Sequence, residues 1–408
     1  MTHSQVHHMT GSRMTVLAAG ALTLLLTGSV VCGQWEQIYK LTAADGLQDD
    51  WFGCSVGDSD RFTVIGARGV DDVGRDAGAA YVFDSLTGEQ LHKLTIADGD
   101  HWDAFGEAVA VSGSTVVVGA SGYNHYYGAA FVFDALTGER LHKLVSEDGC
   151  QGDEFGSTVS VSGNTIVVGA PSHDWTTHRG AAYVFDAATG EQLHKLTAAD
   201  GEDDDYFGNA VAVSGDTIVI GAWLDDDMGP YSGSAYVFDA VTGKQLHKIT
   251  ADDGGSWCIF GCSVAVSGDT VVIGACFDDA LGSLAGAAYV FDATTGEQLH
   301  KIAGDDTEVL DMFGWSVSIS GNTILLGTKG DDDAGSGAGA AYVFDATTGQ
   351  QVQKLTADDG AAHDEFANSV SVHGDLCVIG AVRDDDGISS HPGGDSGAAY
   401  LFRWAGSL

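Results

Sequence analysis

From Phe207 to Ser214 (FGNAVAVS) apolar positions alternate with small or polar ones, a period of two that predicts a strand. Gly215-Asp216 then predicts a tight hairpin turn. The β-branched run from Thr217 to Ala222 (TIVIGA) predicts a second strand covered on both faces. After a polar loop, Ser234 to Asp239 (SAYVFD) predicts a third strand, and a turn carrying Gly243 leads to a fourth, Gln245 to Thr250 (QLHKIT). The whole unit recurs. Its Phe-Gly opening stands at Phe52, Phe105, Phe155, Phe207, Phe260 and Phe313, with Phe366-Ala367 as a degenerate seventh copy. A spacing of about fifty residues, with no helical period anywhere, is the signature of a repeat architecture. Seven units of four antiparallel strands predict an all-β, seven-bladed β-propeller.

The chain ends support a closed ring. The last repeat stops after its third strand (AAYLFRW, Ala398 to Trp404), and the missing fourth strand is found in EQIYKLT, Glu36 to Thr42. The N-terminal strand therefore completes the last blade, which removes an open sheet edge at the seam. Residues 34–408 form one domain on this reading. Residues 1–33 stand apart: Arg13 precedes an apolar run from Met14 to Val31, the pattern of a cleaved secretory signal. An uncleaved anchor is the alternative. Export, to the extracellular space, the cell surface or a periplasm, is the expected destination, with no membrane insertion after cleavage.

The stretch EFGSTVSVSGNTIVVGAP, Glu154 to Pro171, opens with Phe-Gly and closes with Gly-Ala-Pro. That is the pattern of FG-GAP repeats, and across nearly all of the mature chain the protein resembles the propeller of integrin α subunits. It is closer to secreted microbial FG-GAP proteins. Only blade three keeps the proline, Pro171; its equivalents are Arg68, Ser121, Trp223, Cys276, Lys329 and Val382. The resemblance implies a non-catalytic recognition or adhesion module. It also implies calcium in the turn between the first two strands, but that turn here is as short as Ser267 to Thr270, and hard cations need six to eight oxygens from a longer loop. The family's calcium site does not carry over.

Charge adds a second possibility for a cation. The 58 acidic residues outnumber 17 Lys and Arg, for a net charge of −41. Strand direction places most of them on one face of the ring, in the inter-blade connections and the loops between second and third strands. Nucleic acid is excluded as a partner by the shortage of cations to meet its phosphates. The triplets Asp225-Asp226-Asp227, Asp331-Asp332-Asp333 and Asp384-Asp385-Asp386 are candidate calcium ligands; the alternative is a solvated acidic surface whose aspartates serve turn chemistry. The Asp two residues before the Phe in six of the seven blades, such as Asp50 and Asp205, is expected to cap backbone amides, and Cys258 breaks the pattern.

The corresponding loops of blades two and three carry aromatic and imidazole groups instead: Tyr123, His125, Tyr126 and Tyr127, then His173, Trp175 and His178. Such side chains suit stacking on a sugar or anchoring a peptide, so an extracellular protein or glycan is the expected partner. Folding of these loops over the blade edge is the plainer explanation. Catalysis is not expected. Gly53-Cys54-Ser55-Val56-Gly57 matches a nucleophile motif but lies within a first strand and recurs as Gly261-Cys262-Ser263-Val264-Ala265. The turn Asp292 to Leu299 (DATTGEQL) has a quinoprotein flavour without that class's downstream Trp. His92, His142, His194, His247 and His300 share one fourth-strand position and cannot converge on one site. Six cysteines follow the signal segment, and a bridge from Cys276 to Cys258 or Cys262 competes with free thiols. The rival functions are a structural surface or matrix protein without a discrete ligand and, further off, a quinoprotein-like or hydrolytic enzyme.

Overall fold

The computed structural model describes residues 33–174, 176–385 and 395–406, and shows seven four-stranded antiparallel sheets. Blade four spans Phe207–Ser214, Thr217–Ala222, Ser234–Asp239 and Lys244–Ile249, within a residue of the pattern read from its sequence. In blades two, three and six the first strand starts later, at Val109, Thr158 and Ser316, because a turn follows the Phe-Gly pair. The N-terminal strand, Trp35–Leu41, pairs antiparallel with Ala398–Trp404 and so completes blade seven. Gln353 of blade six clamps the seam: its side chain accepts from the Trp35 amide at 2.7 Å and donates to the Trp35 carbonyl at 2.9 Å. The expected signal segment lies outside the described residues. No helix among them is long and apolar enough to cross a membrane.

The core lies between blades. Val167, Ala182 and Leu196 of blade three pack against Phe207, Ile218 and Tyr236 of blade four, and every other junction repeats this arrangement. Each Phe of the Phe-Gly pair is the central wedge. Phe155 sits edge-on to Tyr183 at 5.5 Å and Phe185 at 5.9 Å, a geometry favoured by the ring quadrupoles. The glycine beside it is demanded twice over. Gly156 has φ +94°, and a Cβ there would lie 2.3 Å from the Ala129 carbonyl oxygen of the preceding blade.

Two further ties hold blade to blade. The recurring histidines occupy the outer strands as expected, and each reaches the next blade's turn. His92 Nε2 donates to the Leu136 carbonyl at 3.1 Å and His194 Nε2 to that of Val241 at 3.0 Å. The serine of the nucleophile-like motif is likewise spent: Ser55 Oγ donates to the Gly106 carbonyl of blade two at 2.8 Å. The capping role of the aspartate before each Phe also holds. Asp50 accepts from the Leu47 amide and Asp205 from that of Glu202, both at 2.7 Å. Burial pushes both carboxyls up to about 6, partly offset by those amides.

Candidate functional site

The acidic face is built around lysines. Lys248, on the fourth strand of blade four, stands opposite Tyr236 on the third and donates to Asp200 and Asp225, each at 2.9 Å, and to Asp227. Tyr236 donates its hydroxyl to Asp225 at 2.9 Å. Blades five and six repeat the cradle, with Lys301 on Asp253 and Asp278, and Lys354 on Asp306, Asp331 and Asp333. At the seam Lys40 holds Asp359 and Asp384. Although burial opposes it, the bonds to Asp225, Asp227 and Asp200 raise the Lys248 ammonium well above the usual lysine range.

This revises the expectation for the aspartate triplets. Their first members, Asp225, Asp331 and Asp384, are buried on a lysine and a tyrosine, while Asp226, Asp332 and Asp385 are exposed; Asp386 lies outside the described residues. Among the described residues no group of three His, Cys, Asp or Glu side chains is arranged to hold a metal ion. The positive charge that clustered carboxylates require comes from the chain itself. A sequence signal existed: a lysine stands at one fourth-strand position of every blade, in a protein with only 17 Lys and Arg.

Two of the residues singled out in blades two and three prove to be local replacements in this cradle. In blade three His173 takes the place of the first aspartate. Its Nε2 accepts from Lys195 at 2.7 Å, so Nδ1 carries the proton and donates to Asp153 at 2.8 Å. In blade two the third-strand tyrosine is Phe131, and the loop residue Tyr123 supplies the missing phenol. It donates to Asp98 at 2.8 Å while Lys143 lies over its ring at 3.9 Å. Burial and the bonded Asp98 push the Tyr123 hydroxyl up to about 12. His178 stacks on Tyr206 at 5.1 Å and bonds Asp204 at 3.0 Å. Trp175 lies outside the described residues.

His125 and Tyr126 have a different setting. Asn124, His125 and Tyr126 form a left-handed turn, with φ of 52°, 61° and 67°. The value at Tyr126 belongs to the architecture, since Asp76, His178, Tyr231 and Leu284 repeat it two residues before the same glycine. Asn124 and His125, however, are peculiar to blade two. Left-handed backbone costs each of them about 1–2 kcal/mol, and none of the turn's side chains is buried in return. The turn walls a cavity of about 360 Å³ whose other side is His101, Trp102 and Asp103 of the inter-blade connection. Tyr126 is 49% exposed and Trp102 46%. Tyr127 is not among the residues that line the cavity.

Trp102 and Tyr126 also border a second cavity, which runs toward the central channel and includes Trp51, Arg68 and Glu107. Those three in turn line a third, of about 470 Å³, at the mouth of the channel with Trp315, Lys329, Glu365 and Arg383. Its lining comes from positions where the repeat varies most. Arg68 and Lys329 follow the Gly-Ala or Gly-Thr that ends a second strand. Trp51 and Glu365 precede the Phe, and the residue there has φ between 46° and 59° in all seven blades. Seven-fold repetition assigns that strain to the architecture, and at Trp51 and Glu365 the side chain lines the mouth. The pattern of alternation carries no trace of these positive φ values.

The six cysteines among the described residues are free thiols, so of the two alternatives for Cys276 the bridge is not formed; its amide donates to Cys262 Sγ at 3.4 Å. Cys54, at the equivalent position of blade one, is also a free thiol.

Seven blades of four antiparallel strands, with one strand shared across the seam, define a closed seven-bladed β-propeller. The model of the FG-GAP repeat matches seven times, over residues 35–83, 89–133, 139–185, 191–238, 244–291, 297–344 and 350–402. The chain belongs to the FG-GAP repeat family, and its ring resembles the N-terminal propeller of integrin α subunits. Each matched unit begins on a fourth strand and ends on the next blade's third, the offset that closure by the N-terminal strand requires. Among solved structures it is similar to the computationally designed Ika8 protein, at 19% identity and a TM-score of 0.51, covering 90% of this chain and all of that one. That likeness concerns the fold. No curated protein matches.

Proposed function

We propose that the protein is an exported, non-catalytic recognition module that binds an extracellular protein or glycan on its loop face, at the blade-two cavity. The observation carrying this reading is the left-handed turn from Asn124 to Tyr126. It holds His125 and Tyr126 exposed across a cavity from Trp102, with left-handed strain at Asn124 and His125 that no side-chain burial repays. Exposed, rigid aromatic groups facing each other across a cavity are the usual anchors of a sugar ring or a peptide side chain. The FG-GAP family favours interaction over catalysis and an extracellular setting, and the apolar run from Met14 to Val31 fits export.

A glycan and peptide array probed with the wild-type protein and with Tyr126→Ala and Trp102→Ala tests this reading. Loss of the strongest signals in both variants, with unchanged melting temperature, supports it. Signals indifferent to both changes refute it and leave the structural surface protein as the better account.

A further inference from the structure

We propose that the mouth of the central channel is a binding site for a carboxylated sugar, a uronate-type monosaccharide or chain end, whose carboxylate is held by Lys329, Arg383 and Arg68 of blades six, seven and one. The inference stands apart from the blade-two reading and needs none of its residues.

Basic residues are scarce in this protein, and seven lysines are fixed on the fourth strands, six of them in ion pairs with the acidic loops. Three of the remaining cations nevertheless meet in one cavity. The fold does not require them there. At the repeat position of Arg68 and Lys329 other blades carry Ser121, Pro171, Trp223, Cys276 or Val382, and those blades close equally well.

The charges are also incompletely matched. Arg68 meets Glu107 and Arg383 meets Glu365, each through one contact at 3.3 Å. Among the described residues Lys329 has no carboxylate within ion-pair distance; it lies over the face of Trp315 at 3.1 Å. Burial lowers its pKa below the ordinary lysine value, so its ammonium lacks solvation that an anion would restore. Arg68 Nε is buried without a hydrogen-bond acceptor. A carboxylate placed among these groups would receive charge-assisted hydrogen bonds from donors already in position.

The rest of the lining selects what carries the carboxylate. A volume of about 470 Å³ suits one or two sugar rings. Trp51 and Trp315, each with a cation of the cluster over one ring face, wall the cavity, and Glu107, Glu365 and Asn368 offer partners for ring hydroxyls. The surrounding field is strongly negative, which repels polyanions at long range and favours a ligand with one acidic group.

Isothermal titration with sodium glucuronate, glucose and sodium acetate tests the proposal. Saturable glucuronate binding at millimolar concentration, stronger than acetate and absent for glucose, is expected. Losing one charge-assisted contact weakens binding about tenfold or more, so Lys329→Gln and, at an exposed position, Arg383→Gln are both expected to do so. Unchanged melting temperatures in these variants exclude a folding defect. Tyr126→Ala should leave glucuronate binding intact. Absence of saturable glucuronate binding, equal binding of glucose, or variants that bind like the wild type would each overturn the assignment.

Discussion

Removing the lysine from one cradle tests how the acidic face is held together. In Lys248→Met the aliphatic stem survives but the ammonium does not, and Asp225, 3% exposed, is left as a buried carboxylate held by two neutral donors, the Tyr236 hydroxyl and the Asp227 amide. Breaking a buried pair by deleting one partner costs roughly 3–5 kcal/mol. The contacts to Asp200 and Asp227 add little, because those side chains are 43% and 54% exposed and exposed pairs contribute about 0–1 kcal/mol. Lys248 itself retains some solvent access, which favours the lower end, about 3 kcal/mol. For a domain of this length an unfolding entropy near 2.1 cal/mol/K per residue gives roughly 0.8 kcal/mol per degree, so the melting temperature should fall by about 4 °C. Differential scanning calorimetry reads that shift directly. The double variant Lys248→Met/Asp225→Asn should recover most of it, since the neutral amide no longer needs a counter-charge. A single variant that melts like the wild type, or a double variant no better than the single, would refute the cradle as an energetic unit.

Two other outcomes follow from the same electrostatics. Millimolar calcium, then a chelator, should leave the melting temperature of the wild-type protein unchanged within about a degree, because lysines already occupy the centres of the carboxylate clusters; a reversible rise of several degrees would demonstrate ordered sites. Mild acid should stabilise the protein. Burial raises Asp50, Asp205 and Asp311 to about 6 and Asp58 to about 7, above their unfolded value of 3.8, so the folded chain takes up protons and gains stability as pH falls from about 7 toward 4. Asp45, Asp148 and Asp253 go the other way: lysine and tyrosine partners outweigh burial and lower them, and their contribution is lost only below about pH 4. Melting temperature plotted against pH should therefore peak near 5, and a steady decline from pH 7 downward would contradict this balance.

The blades were legible because each level of the sequence repeats the same instruction. Alternation marks the first strand, a β-branched run the buried second, and a glycine turn the hairpin, seven times over. The closing strand was legible because one end of the chain lacks what the other supplies. The aromatic site was legible only in part. His125 and Tyr126 do border a cavity, but Trp102, which completes it, comes from a connection that read as merely acidic.

Period and turn chemistry are local, so the amino-acid order alone determined the strands, their number, the ring and the face on which the charge collects. What a carboxylate or a phenol does there depends on groups far away in sequence, and that was decided by tertiary structure. Lys248 meets Asp200, forty-eight residues earlier, only because the fourth strand returns beside the entry to its own blade. The same return ties His173 and Tyr123 into the scaffold through Lys195 and Asp98, and Tyr123 lines the blade-two cavity as well. Lys329, Arg68 and Arg383 are a cluster only because the ring closes and brings blades six, seven and one to a shared mouth.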